Sequence, residues 1–415
     1  MCKFVKIFLQ ICTYLSFKTV TMYKRTLLST ILPQLYHKNA IVITGMRQVG
    51  KTTLMRQLYN DFEGKRLWFD LDNPLDQMVF ENIDYNAIYS DLGRMSDIKN
   101  GERLLVCIDE IQNLPEITKI IKYLIDHYGV KFIVTGSSNY YLRNLFPESL
   151  SGRKFLYVLP VLTYREFLYF NGRISENQLT KNLDEATQPK SKIDILQTKE
   201  LYCDYLEFGG FPEVVLTPDR ETKRQILKNI FASFFEKDIK VFTELKDVRE
   251  LRNLILLLAA RNGNLIDVTK LASELEINRV KIYNYLEFLE GIFFLKMIPK
   301  FSKSIDRSVV GGKKIYFSDT GILNLVAKVT DGQLLEAAVA NQLSNYGELS
   351  FYNKRNKSEI DFILNKEIAF EVKQKVLESD SRKLQSLAKE IGIEKQYLIS
   401  NTVSNMENTV YPWFL

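Results

Sequence analysis

The chain reads as an α/β protein: a parallel sheet with a phosphate-binding glycine loop, then a helical segment, then a smaller α/β unit. Three observations carry this. The apolar run Ala40-Ile41-Val42-Ile43-Thr44 leads into Gly45-Met46-Arg47-Gln48-Val49-Gly50-Lys51-Thr52, which has the G-x-x-x-x-G-K-[ST] spacing of a P-loop, and then into a helix-forming stretch from Thr53. A second apolar run, Leu104 to Ile108, ends in Asp109 and Glu110, as expected of a strand buried on both faces that presents ligands at its carboxyl end. Two alternating stretches, 358–364 and 368–373, flank a turn at Asn365-Lys366, which marks a hairpin far from the first sheet.

The totals set bounds on this reading. At 415 residues the chain is too long for one typical domain. A net charge of +6, spread without a long basic tract, permits nucleic-acid contact without requiring it. The four cysteines (Cys2, Cys12, Cys107, Cys203) form no C-x-x-C pair and histidine occurs only at 37 and 127. A zinc site or a disulfide framework is therefore not expected, and a reducing cytoplasm is. Residues 1–21 are too short and too interrupted by Lys3, Lys6, Gln10 and Lys18 to span a membrane. They read as an amphipathic leader or as a start assigned ahead of Met22, with a signal peptide as the alternative.

In chain order, residues 22–170 are expected to form the sheet core. Main-chain N–H groups of Gly45, Gln48, Val49, Gly50, Lys51, Thr52 and Thr53 would cradle the phosphates of ATP at a helix N-terminus. Lys51 would reach the β- and γ-phosphates, and Thr52 with Asp109 would hold Mg²⁺. Glu110 would polarise the attacking water. Strands over 66–71 and 131–136 and helices over 84–98 and 119–128 complete the alternation. Ser137 and Ser138 follow the last strand, where a hydroxyl senses the γ-phosphate or simply closes a turn. Arg143 and Arg153 are candidate arginine fingers, in cis or from a second copy in a homo-oligomer; the alternative is a surface charge.

Several of these motifs occur together in one known family. The glycine loop, Ile108-Asp109-Glu110, Thr135-Gly136-Ser137-Ser138, Ser151-Gly152-Arg153, Leu159-Pro160-Val161-Leu162-Thr163-Tyr164-Arg165-Glu166-Phe167 and Gly209-Gly210-Phe211-Pro212 resemble, in that order, a prokaryotic group of AAA-type ATPases. The resemblance covers nearly all of residues 22–415. It implies an ATPase core, a winged-helix segment and a nuclease-like C-terminal fold, and it names no substrate.

Residues 171–262 are expected to hold a polar, flexible insertion over 172–200 and then helices over 195–207, 220–238 and 246–262. Residues 263–318 have helix-turn-helix spacing, with faces Val268, Leu271, Ala272, Leu275 and Ile282, Tyr285, Leu286, Leu289 about a turn at Ile277-Asn278. Lys313 to Phe317 would be a wing strand. Were the second helix to enter a DNA groove, Asn278, Arg279, Lys281 and Asn284 would be its polar contacts; the alternative is a packing or regulatory module. In residues 319–415, alternation places Glu359 with Asp361 and Glu371 with Lys373, and puts Ile360, Phe362, Phe370 and Val372 on core faces. The D…E-x-K pattern is similar to the PD-(D/E)xK nuclease superfamily, in which carboxylates hold Mg²⁺ and the lysine steadies the developing charge. Glu336, on an amphipathic helix over 334–343, matches the extra helix acid of some members. Ile360 stands where that pattern has proline, and the alternative is a cross-strand ion pair.

Together these features predict an ATP- and Mg²⁺-dependent ATPase that couples turnover to DNA through its C-terminal domains. The alternatives are a nucleotide switch acting on protein partners and an ATP-licensed, Mg²⁺-dependent DNA nuclease.

Overall fold

The computed structural model describes residues 22–99, 101–136, 152–179, 182–188, 191–238, 245–302, 311–354 and 358–415. The stretch 1–21 and the candidates Ser137, Ser138 and Arg143 lie outside the described residues.

Strands β1 (Ala40–Thr44), β2 (Lys65–Asp70), β3 (Leu104–Asp109), β4 (Lys131–Gly136) and β5 (Lys154–Val158) form one sheet in the order β2-β3-β4-β1-β5. Every neighbouring pair is parallel. All residues of β1, β3 and β4 are buried, which explains why they read as unbroken apolar runs. Their side chains alternate between two cores. Ile41, Ile43, Leu105 and Cys107 pack toward the helix Lys51–Asp61, while Val42, Val106, Ile108 and Val134 pack toward the helices Tyr85–Ser96 and Ile117–Tyr128. All five strands point the same way, so the segments after Thr44, Asp109 and Gly136 leave from one end of the sheet.

The middle of the chain is helical. The helix expected over 195–207 is present as the 17-residue helix Lys192–Phe208, which also takes in residues 192–194 of the stretch expected to be flexible. Ile195, Tyr202, Tyr205 and Phe208 bury its inner face. Arg220–Ser233 and Leu245–Ala260 follow, the first running into a π-turn at Phe234–Asp238. The helices Val268–Leu275 and Arg279–Gly291 are separated by Glu276, in the left-handed region at φ 56°, and by Asn278, whose side chain caps the second helix. β6 (Leu295–Pro299) and β7 (Lys313–Phe317) then pair antiparallel, so the strand expected over 313–317 is present.

The last unit is a second sheet, ordered β12-β11-β10-β9-β8, from β8 (Leu349–Lys354), β9 (Ser358–Leu364), β10 (Ile368–Lys373), β11 (Lys395–Ser400) and β12 (Thr409–Val410). The hairpin turn falls at Asn365 and Lys366, both at positive φ (51° and 62°). Two expectations need correcting here. The helix Asp331–Leu343 is not amphipathic: Leu335 and every residue from Ala337 to Leu343 are buried, because it lies between the second sheet and the rest of the molecule. The alternation along β9 also breaks. Ile360 packs with Leu384 and Ala388 of the helix Glu378–Ile391, whereas Phe362 packs in the main core on the other face. A register shift against β8 opposite this stretch accounts for the break.

The main core extends from Leu28 through Leu58, Tyr205, Leu258, Tyr316 and Phe370 to Leu415. The first sheet and the distal segments therefore share one apolar interior. Among the described residues, no helix is long and apolar enough to cross a membrane.

Candidate functional site

The glycine loop takes the shape its sequence requires. Gly45 has φ 146°, and a Cβ there would stand 2.2 Å from the carbonyl oxygen of Leu159, so only glycine fits. Val49 is fully buried and anchors the loop, while Gln48, Thr52 and Thr53 are exposed at the mouth. Lys51 is only 6% exposed and donates to the carbonyl oxygens of Gly45 (3.0 Å) and Met46 (2.8 Å). It opens the helix Lys51–Asp61, whose unsatisfied N–H groups favour an anion at this end.

The acidic pair meets the loop. Asp109 ends β3, is 6% exposed and accepts from the Thr135 hydroxyl of β4. Glu110 follows at φ 53°, a left-handed conformation rare outside glycine. Gln112 donates to its carboxylate. The other Glu110 oxygen lies 3.8 Å from Nη1 of Arg47, in the glycine loop itself. The two motifs, 63 residues apart from Arg47 to Glu110, thus face each other across the end of the sheet.

A buried pair supports the loop from behind. Arg25 donates to the carbonyls of Val49 (2.8 Å) and Pro160 (2.8 Å) and pairs with Glu166 at 3.0 Å. Burial opposes the charge on Glu166, yet the Arg25 guanidinium and the N–H groups of Thr26 and Thr163 hold its carboxyl below the usual range. Sequence reasoning missed Arg25, Arg47, Gln112 and Thr135. Arg47 alone carried a signal, as a cation inside the loop motif; the others act through contacts remote in sequence or through a local turn.

Arg153 requires a correction. It immediately precedes β5, whose first residue pairs with Ala40 at the amino end of β1, and it forms an ion pair with Asp126 at 2.6 Å. A five-residue strand spans about 17 Å, so Arg153 lies at the opposite end of the sheet from the loop and cannot serve it in cis.

The Gly209-Gly210-Phe211-Pro212 element sits between regions. Gly210 N–H donates to Asp319 at 2.8 Å, and a Cβ on Gly209 would lie 2.3 Å from the Asp319 carboxylate. Pro212 Cγ lies 4.0 Å from where a Cβ on Gly50 would be. Burial pushes Asp319 up to about 6, against the N–H donors of Gly210 and Ile322.

In the C-terminal sheet, the predicted acids come together but are already matched. Asp361 accepts from the Val372 N–H at 2.8 Å and lies 3.9 Å from Lys373 Nζ. Burial, then Glu371 and Glu336, push its carboxyl well above the usual range. Glu371 pairs with Lys373 (2.8 Å) and Lys383 (3.4 Å). Glu336 accepts from the Tyr316 hydroxyl at 2.6 Å and lies 3.5 Å from Lys314, a β7 residue that also pairs with Glu359. Among the described residues no three acidic, histidine or cysteine side chains are disposed to hold a metal ion. In this arrangement Lys373 and Lys383 lie beside Glu371, and Lys314 lies beside Glu336 and Glu359.

On the helix Arg279–Gly291, Arg279 and Asn284 are exposed, together with Val280 and Tyr283. Lys281 is not available as expected. Its ammonium pairs at 2.5 Å with both Asp247 and Glu250 of the preceding long helix.

The sheet order, the glycine loop and the acidic strand end define a P-loop NTPase fold. Residues 37–168 match the family model of an AAA domain. Residues 199–333 and 331–413 match two domains of unknown function, DUF8612 and DUF4143. The chain is similar to an uncharacterized protein of Methanocaldococcus jannaschii, 29% identical over 342 residues, 79% of this chain and 73% of that protein. It is also similar to one of Haemophilus influenzae, 28% identical over 360 residues, 82% of this chain and 84% of that protein. Among solved structures, a Walker-type ATPase of Pyrococcus abyssi aligns with a TM-score of 0.47 at 15% identity, covering 73% of this chain and 95% of that one. The ORC2 protein of Aeropyrum pernix aligns with a TM-score of 0.34 at 14% identity, covering 77% and 93%.

Proposed function

We propose that this chain binds ATP with Mg²⁺ at the glycine loop and hydrolyses it, and that the nucleotide state is passed to the distal segments. The observation that carries this is the approach of Arg47 to Glu110 at 3.8 Å, since it requires the phosphate loop and the acidic strand end to share one site. The donor set suits magnesium. Thr52 offers an exposed hydroxyl at the helix start and Asp109 a carboxylate at the strand end, and Mg²⁺ is commonly held by one or two protein oxygens plus water and phosphate. Bound there, the ion would neutralise charge on the phosphate oxygens.

The protein's own groups would do the rest. Lys51, now resting on two loop carbonyls, would exchange them for phosphate oxygens, gaining charge-assisted bonds for neutral ones. Thr135 would keep Asp109 turned toward the loop. Glu110 would accept the proton of the attacking water, its direction set by its left-handed backbone and by Gln112. Movement around Gly50 would be passed toward Asp319 by way of the neighbouring Pro212 and the Gly210 N–H that Asp319 accepts.

Lys51→Ala should abolish nucleotide binding, whereas Glu110→Gln should bind ATP and lower turnover by at least about 100-fold. Fluorescent-nucleotide titration and phosphate release measure the two. Wild-type turnover in both variants would overturn the site. A second reading, association with DNA, draws on the exposed Arg279, Tyr283 and Asn284 strip. Affinity that falls steeply with salt, measured alongside ATPase stimulation by several DNA forms, would support it. No binding at low salt would leave protein partners as the target.

A further inference from the structure

The end of the first sheet holds a cation that no assigned role uses. Arg47 occupies the third position of the glycine loop, and its guanidinium lies 3.8 Å from the Glu110 carboxylate. Both side chains are only 20% exposed, so the attraction acts in a partly dry cleft and exceeds that of a surface pair. Glu110 is held from both sides: Gln112 binds one oxygen and Arg47 approaches the other. The oxygen that Gln112 leaves open is the one Arg47 approaches, so Arg47 stands where the attacking water would meet the carboxylate. Arg153, the alternative cation, lies at the opposite end of the sheet.

Arg47 also borders a small apolar cavity lined by Phe231, Phe234, Phe294 and Ile322. These belong to the helix Arg220–Ser233, the following π-turn, the approach to β6 and the helix Thr320–Val326. Arg47 therefore shares a cavity with the distal segments as well as facing the acid.

We propose that Arg47 is a catalytic residue acting in cis. Without nucleotide it holds Glu110. With ATP in the loop its guanidinium moves to the γ-phosphoryl oxygens, which frees Glu110. The water oxygen then bonds to the γ-phosphorus, and the bond from that phosphorus to the β–γ bridging oxygen breaks. Glu110 takes the water proton, and ADP leaves with the bond electrons. A planar fork of donors suits three equatorial oxygens sharing growing charge. This rests on reading residues 45–53 as the ATP site.

The test uses the full chain carrying Arg47→Ala or Arg47→Lys, with Lys51→Ala as the reference. Affinities for fluorescent ADP and for a non-hydrolysable ATP analogue are measured beside single-turnover hydrolysis. Arg47→Ala should bind ADP within about threefold of wild type, lose about tenfold in its preference for the ATP analogue, and hydrolyse about 10²–10³-fold more slowly. Arg47→Lys should recover part of the preference and little of the rate, because a point charge cannot replace the fork. Hydrolysis by Arg47→Ala within threefold of wild type would overturn the proposal. So would equal loss of ADP and analogue binding in Arg47→Ala with Arg47→Lys restoring both affinity and rate. If instead the wild-type chain binds no nucleotide that Lys51→Ala abolishes, the parent reading fails before Arg47 is in question.

Discussion

The two sheets each gather charge at one place, and they do so in opposite ways. At the end of the first sheet, Lys51 donates to two loop carbonyl oxygens and Arg47 lies 3.8 Å from Glu110. Around the second sheet, Lys314 of β7, Lys373 of β10 and Lys383 of the helix Glu378–Ile391 are committed to Glu336, Glu359, Asp361 and Glu371. A cation lying on neutral carbonyls gives up little when a phosphate arrives. A lysine already paired with a carboxylate in a dry setting gives up much. The first arrangement is suited to receive an anionic ligand, and the second is suited to hold a fold together.

That contrast predicts that breaking pairs in the matched places will cost stability. The largest effect should come from the buried pair behind the loop. Arg25→Ala leaves Glu166 buried without its partner and should cost about 3–5 kcal/mol, read as a lower denaturation midpoint. Because the Glu166 pKa is depressed in the fold, its contribution is present above the unfolded value of 4.5 and is lost as pH falls through the folded value. An Arg25→Ala chain as stable as wild type at pH 7 would show that this pair is not structural.

Next comes Lys314→Ala, which strips the β7 lysine from Glu336 and Glu359. A loss of about 2–3 kcal/mol is expected, less than for a sealed pair because both acids are partly exposed. Nucleotide affinity should stay within about twofold. A large drop in affinity would mean that the two ends of the molecule are not separable as argued here.

The smallest effect concerns Asp319, and its sign is opposite to that of Glu166. Its folded pKa is raised from 3.8 to about 6, so its stabilising contribution is full below 3.8 and is lost as pH rises through about 6. Between pH 5 and pH 7 the wild type should lose about 1–1.5 kcal/mol relative to Asp319→Asn. Parallel stability curves for the two chains over that range would refute the assignment.

How much was legible in advance follows from how local each feature is. β1, the glycine loop and the helix after it lie within one short stretch, and β3 announces itself by an apolar run closed by two acids, so both were read correctly. The hairpin turn at Asn365-Lys366 was equally local. The helix Lys192–Phe208 is legible over 195–207, and only its first residues fall in the polar stretch that reads as a flexible insertion. The Asp361 environment was misread because a register shift against β8 turns Ile360 and Phe362 to opposite faces, and no alternation rule anticipates a bulge. Lys281 reads as a polar contact for a DNA groove because Asp247 and Glu250, more than thirty residues earlier in the chain, give no sign in the sequence that they meet it.

Taken alone, the sequence determined that a strand, a glycine turn and a helix start would present N–H groups and Lys51 together, because neighbouring residues dictate backbone geometry directly. Only the tertiary structure decided which charges face which: that Arg47 meets Glu110, that Arg153 is at the wrong end of the sheet, and that lysines occupy the carboxylates of the second sheet. Those pairings depend on chain direction and packing across the sheets, and electrostatic energy is set by distance in space, not by spacing along the chain.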